Sequence, residues 1–231
     1  MANKNQKNRN QKKIFFDSST LISMALSCSL PLFEKLAKHF DGAFYITDSV
    51  YRETVERAMQ SLKFRYEGYR IKSLIEAGLL KFYSEKNIKS KIQSDLDLLN
   101  RLFIIYGKPL NIVQIGEISA IAACAQETNS NLAVDERTAR MLIENVDGLV
   151  RWLSEKFHAR VEVNKNVLST WQQISSKIPI CIRSAELAVA AWEAGMLESL
   201  DQLYGLLWAL KFSGCAITEN EINNYIKLLK R

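Results

Sequence analysis

Four short apolar runs, each closed by a capping residue and followed by a stretch with helical spacing, constrain this chain more than any other feature. They span residues 14–16, 43–47, 79–83 and 131–134. Runs this short suit strands buried on both faces rather than helices. Strands that alternate with helices build βαβ units and a parallel sheet covered on both sides. Residues 160–163 offer a fifth strand. Helices are expected over 18–29, 32–40, from Ser49 towards Ala77, over 90–106 with a stop at Gly107, over 116–125, over 137–144 and through Trp152 and Phe157. From Asn164 onward the pattern reads as helices only. Residues 184–194, 199–212 and 218–229 are each amphipathic, and capping boxes open the last two at Ser199 and Thr218. The expected organisation is therefore a basic tail at 1–12, an α/β domain at 13–164 and a C-terminal helical extension at 165–231.

Composition bounds the function classes. The 231 residues are 48% hydrophobic, enough for one sizeable core. No apolar run nears the ~20 residues of a membrane-spanning helix. Asp17 breaks the one apolar stretch behind the basic N-terminus, so no secretory leader is expected. The four cysteines, Cys28, Cys124, Cys181 and Cys215, form no CxxC pair, and only His39 and His158 accompany them. A zinc site is not expected, and isolated thiols in apolar contexts suit a reducing, cytoplasmic setting. Of the net charge of +6, five positive charges (Lys4, Lys7, Arg9, Lys12 and Lys13) lie in the first thirteen residues. Such a segment reads as disordered, serving either to hold nucleic acid electrostatically or to keep the chain soluble.

Four acids fall where this architecture would gather them. Asp17 ends the first strand and Asp135 the fourth. Glu53 lies early in the helix after the second strand, and Glu117 in the first turn of a small-residue helix. In an open parallel sheet, ligands sit at the carboxyl ends of the strands. Each acid alone is also a good helix cap or first-turn charge. Together they would repel by roughly 4 kcal/mol per close pair at an effective dielectric of 20. A hard divalent cation, Mg²⁺ or Mn²⁺, relieves that repulsion. Glu136, beside Asp135, is a fifth candidate in a supporting position. No Ser- or Cys-based triad, P-loop or GxGxxG is present.

These residues resemble the PIN domains, a family of small metal-dependent ribonucleases. The likeness rests on Phe16-Asp17-Ser18-Ser19, on the segment from Ile46 to Glu53, on Gly116-Glu117-Ile118-Ser119, and on Leu132-Ala133-Val134-Asp135-Glu136-Arg137. It covers residues 13–164. It implies a three-layer α/β/α sandwich and a nuclease site in which Asp17, Glu53, Glu117 and Asp135 hold Mg²⁺ or Mn²⁺. Ser19 would orient Asp17. RNA is the implied substrate, guided by Arg137, Arg140, Lys12 and Lys13. An antitoxin or other protein partner and a homodimer also belong to the family's repertoire. Glu117 stands where many members have Asp, and the 165–231 extension is additional. A PIN-like module that binds RNA or protein without cutting is the other reading.

Overall fold

The computed structural model describes residues 11–230. The tail expected at 1–12 therefore falls mostly outside the described residues. Its last member, Lys12, instead opens the first strand. Eight strands follow in chain order: β1 Lys12–Phe16, β2 Gly42–Thr47, β3 Leu80–Tyr83, β4 Phe103–Ile105, β5 Lys108–Pro109, β6 Ser130–Ala133, β7 Glu162–Val163 and β8 Cys181–Ile182.

The central sheet has five parallel strands in the order β3-β2-β1-β6-β8. Helices flank it, as the alternation of apolar runs and helical stretches requires. Strand β1 sits in the middle and is buried on both faces. Phe15 stacks on Tyr45 and meets Tyr83 edge-on, on one side. Phe16 packs against Phe33 and Phe44 on the other. The period-two alternation of a strand produces this division. The helix Ile115–Gln126 covers the Phe15 side, since Glu127 at its end bonds both Lys13 and Tyr83. Its buried Ser119, Ala120, Ala122, Ala123 and Cys124 are small, so it can lie close to the sheet. The helix Leu30–His39 covers the Phe16 side through Phe33.

Several expectations need correction. Residues 90–106 are not one helix. The helix ends at Leu99, and β4 follows in a small antiparallel sheet of order β5-β4-β7. The Phe103-Ile104-Ile105 run favours extended chain. Tyr106 and Gly107, both at positive φ (52° and 71°), make the tight turn into β5. The fifth strand expected at 160–163 is present as β7, but it belongs to this small sheet and not to the parallel one.

The region 165–231 is not helices only. It contributes β8, the edge strand beside β6, where Val134 N–H donates to Ile182 O at 2.8 Å. Cys28, one of the thiols expected in an apolar context, is exposed. The helix begun at Asp48 also departs from regularity. It widens to π-helical winding over Arg52–Arg57, then breaks at Ser61 before resuming at Arg65–Glu76.

One contiguous apolar cluster extends from Ile14 to Ile222. Trp171, fully buried in the helix Lys165–Ser175, donates its indole N–H to Leu142 O at 2.8 Å. That bond ties the C-terminal third to the helix Arg137–Glu144. Among the described residues no helix is long and apolar enough to cross a membrane. The shared core predicts a single unfolding transition in urea, with far-UV circular dichroism and tryptophan emission coincident. Trp171→Ala is expected to cost about 3–5 kcal/mol. Two resolved transitions, or a loss below about 1 kcal/mol, would contradict the shared core.

Candidate metal centre

Strands β1 and β6 are neighbours, with Phe16 opposite Ala133, so Asp17 and the Asp135-Glu136 pair leave the sheet side by side. Asp17 N–H donates to Ala133 O at 2.9 Å, which holds the two strand ends together. Asp17 then caps the helix Ser18–Leu26. Its Oδ2 accepts from Ser19 N–H at 3.1 Å and from Ser19 Oγ–H at 2.6 Å. Ser19 Oγ also accepts from the backbone N–H groups of Asp135 and Glu136, at 3.0 and 3.2 Å. One hydroxyl thus fixes a carboxylate of β1 to the backbone beyond β6. The other oxygen, Asp17 Oδ1, is buried without a hydrogen-bond partner.

Asp17 lines a cavity of about 280 Å³ together with Glu53, Glu117 and Glu136. Glu53 reaches it from the π-helical stretch. A carboxylate oxygen of Glu53 stands 2.6 Å from where a Cβ on Gly116 would be. Gly116 therefore admits Glu53 to the start of the helix Ile115–Gln126, a close approach that a larger residue would block. Glu117 is in the first turn of that helix, and its Oε2 accepts from Gln114 N–H at 2.9 Å. Glu136 caps the next helix, its Oε2 accepting from Ala139 N–H at 2.7 Å. No His or Cys lines the cavity.

Asp135 does not join this group. Its carboxylate turns away and is fully buried. Asp135 Oδ1 accepts from Ser184 N–H at 2.6 Å and, more weakly, from Thr20 Oγ1–H at 3.5 Å, and Oδ2 accepts from Ser184 Oγ–H at 2.6 Å. Ser184 begins the helix that follows β8. Asp135 is thus spent on joining the C-terminal region to the sheet, and Glu136 supplies the fourth carboxylate of the cavity. Both residues lie beyond Ala133, the last residue of β6, in the turn that leads into the helix Arg137–Glu144, and their side chains take different directions there.

The basic residues expected to guide RNA are elsewhere or engaged. Lys13 pairs with Glu127 at 2.6 Å. It lies at the opposite end of β1, about 13 Å from Asp17 at the rise of a strand. Lys12, beside it, is exposed at the same end. Arg137 lies over the Trp152 ring, and Arg140 pairs with Glu144.

The electrostatics follow from crowding acids in a dry place. Burial pushes Asp17 up to about 6 against the pull of its Ser19 bonds, and the Glu53 charge adds to the rise. Burial and the charge of Asp17 push Glu117 up to about 8, helped by Glu136 and Glu53 and opposed by the Gln114 bond. Burial also raises Asp135, but there the hydrogen bonds from Ser184, Ser23 and Cys215 oppose it.

Glu85 is a further buried acid near the site. Glu85 accepts from Ser49 N–H at 2.6 Å, Ser49 Oγ–H at 3.0 Å and Ser119 Oγ–H at 2.5 Å, and these bonds hold its carboxyl below the usual range despite burial. It ties the chain after β3 to the helix that presents Gly116 and Glu117. Its only sequence signal is a lone acid directly behind a strand.

The donor set fits a hard divalent cation. Four carboxylates share one cavity, a buried carboxylate oxygen lacks a partner, and every polar lining group offers oxygen or amide nitrogen rather than thiol or imidazole. Among the described residues, no three acid, His or Cys side chains already stand in a ligand arrangement. Comparison of the chain with protein-family models, with curated proteins and with solved structures gives no match.

Two outcomes test this electrostatic account. A carboxyl raised in the folded state favours folding at low pH, and that contribution is lost as pH climbs through the folded value. The metal-free protein should therefore lose stability from about pH 4 to about pH 8, as Asp17 and Glu117 are forced to ionise. Asp17→Asn keeps the helix cap and should raise stability at pH 8 by on the order of 2 kcal/mol, flattening the curve. An unchanged curve in urea unfolding across that range would refute the buried charge. Asp135→Ala should instead destabilise at every pH, by about 3 kcal/mol, because it orphans the Ser184 donors; chemical denaturation reads the loss.

Proposed function

We propose that this chain is a Mg²⁺- or Mn²⁺-dependent endoribonuclease of the PIN type. The observation that carries the reading is the unpartnered, buried Oδ1 of Asp17, a residue that lines one cavity with three further carboxylates. Asp17, Glu117, Glu136 and Glu53 would hold the cation. When bound, it supplies Lewis-acid stabilisation of the phosphodiester charge and a water of lowered pKa. The protein's own groups do the positioning. Ser19 fixes the Asp17 carboxylate through Oδ2 and leaves Oδ1 without a partner. Gly116 leaves room for Glu53. Glu117, whose proton is held up to about pH 8 in the metal-free chain, releases it when a positive charge replaces it, so cation binding is coupled to proton release.

The second reading is a PIN-like module that binds RNA or a protein without cutting. It is favoured by the absence, among the described residues, of a ready three-ligand arrangement. An antitoxin and a second copy remain part of the proposal, resting on the sequence resemblance, and so does a cytoplasmic location, resting on the isolated cysteines.

Asp17→Asn and Glu136→Gln should each lower Mn²⁺-dependent cleavage of single-stranded RNA at least a hundredfold while circular dichroism stays native, an effect in the range seen when one group stabilising developing charge is removed. Chelation by EDTA should abolish cleavage in the parent chain, and Mn²⁺ should restore it. Full cleavage by Asp17→Asn, or cleavage indifferent to EDTA, would sink the nuclease assignment.

A further inference from the structure

The helix Leu200–Phe212 carries aromatic residues at i, i+4 and i+8, so Tyr204, Trp208 and Phe212 share one face. Their rings form a ladder. Tyr204 and Trp208 meet edge-on with centroids 6.3 Å apart, and Trp208 and Phe212 lie nearly parallel at 5.7 Å. Phe212 is 81% exposed and Tyr204 37%, while Trp208 is half-buried and holds the other two in line.

Both ends of the ladder lead somewhere. Phe212 is followed at once by Ser213 and Gly214, which line the carboxylate cavity. Tyr204 lines a separate cavity of about 580 Å³ with Asn223, Lys227 and Lys230, against one acid, Asp201. Lys211 Nζ lies 4.7 Å from the Trp208 ring centroid. Among the described residues, none of these three lysines is held in a salt bridge.

We propose that this helix face is a stacking track for single-stranded RNA running into the carboxylate cavity. Bases stack on Phe212 and Tyr204, and phosphates meet Lys211, Lys227 and Lys230. The argument is charge complementarity and continuity. Aromatic faces interleaved with free lysines suit a strand that offers bases and phosphates alternately, and the track ends at the residues that wall the proposed site. From Tyr204 to Phe212 the helix rises about 12 Å, room for a base at each exposed ring. The track rests on the nuclease reading for its direction, but its binding is separable from cleavage.

The test uses the full-length Asp17→Asn chain and a fluorescein-labelled oligouridine, with cleavage by the parent chain assayed in parallel. Phe212→Ala and Tyr204→Ala should each raise Kd about tenfold, with affinity falling steeply as salt rises and a matched duplex bound no better by the unmutated ladder than by the variants. Both side chains are exposed, so circular dichroism should stay native. Unchanged Kd in both variants, with the parent chain still cutting RNA, overturns the track and leaves the nuclease standing. Loss of binding in the ladder variants, with no cleavage by the parent chain, supports the track and removes the nuclease. If sedimentation shows that Phe212→Ala dissolves a dimer while oligouridine binding is unchanged, the face is a self-association surface and the proposal fails.

Discussion

Two carboxylates are buried side by side at the ends of β1 and β6, and the molecule resolves them in opposite ways. Asp135 is given a full set of donors, chiefly the backbone and hydroxyl of Ser184. Asp17 is given donors on one oxygen only, with Ser19 satisfying Oδ2 and nothing satisfying Oδ1. A buried charge is costly unless paired and hydrogen-bonded. The first arrangement therefore holds the fold together, and the second leaves unmet electrostatic demand on a residue that lines a cavity. Ser19 links them, because the same hydroxyl that donates to Asp17 accepts from the backbone of residues 135 and 136.

The C-terminal third is bound into this arrangement and is not an appendage to it. Strand β8 completes the sheet, Ser184 occupies Asp135, and Ser213 with Gly214 walls the carboxylate cavity. Buried Arg183 adds a clamp, donating to Glu186, to Glu221 at 2.8 Å and to Ala216 O at 2.9 Å. Ala216 N–H in turn donates to Asp135 O at 3.0 Å. Residues far apart in the chain thus share one chain of hydrogen bonds that ends at the proposed site. A single cooperative core and a site walled from both halves of the chain are two expressions of the same packing.

Much of the architecture was legible in the sequence. The apolar runs at 14–16, 43–47, 79–83 and 131–134 lie within or overlap β1, β2, β3 and β6, because strands buried on both faces leave a compositional mark. The segment 178–182 carries a similar apolar mark, interrupted by Pro179, and Ser184 follows it. The helices around it dominate the local pattern and mask it. The small sheet was harder. Strands of two or three residues, such as β5 and β7, have too little length for periodicity to register. Its turn at Tyr106-Gly107 looked like a helix stop, since a glycine at positive φ serves both purposes.

The site divided along the same line. Chemistry-bearing residues at strand ends and helix starts were visible one at a time: Asp17 with Ser19, Glu53, Glu117, and the Asp135-Glu136 pair. The alternating pattern implies a parallel sheet with these residues at its carboxyl edge, but only the strand order, with β1 beside β6, brings them together. Which member of the acidic pair enters the cavity does not follow. That depends on β8 lying beside β6 and on Ser184 presenting its donors to Asp135, a contact across 49 residues. Local sequence sets which chemical groups stand at the strand ends and helix starts. Only tertiary packing decides which buried acid finds a partner and which is left to seek one.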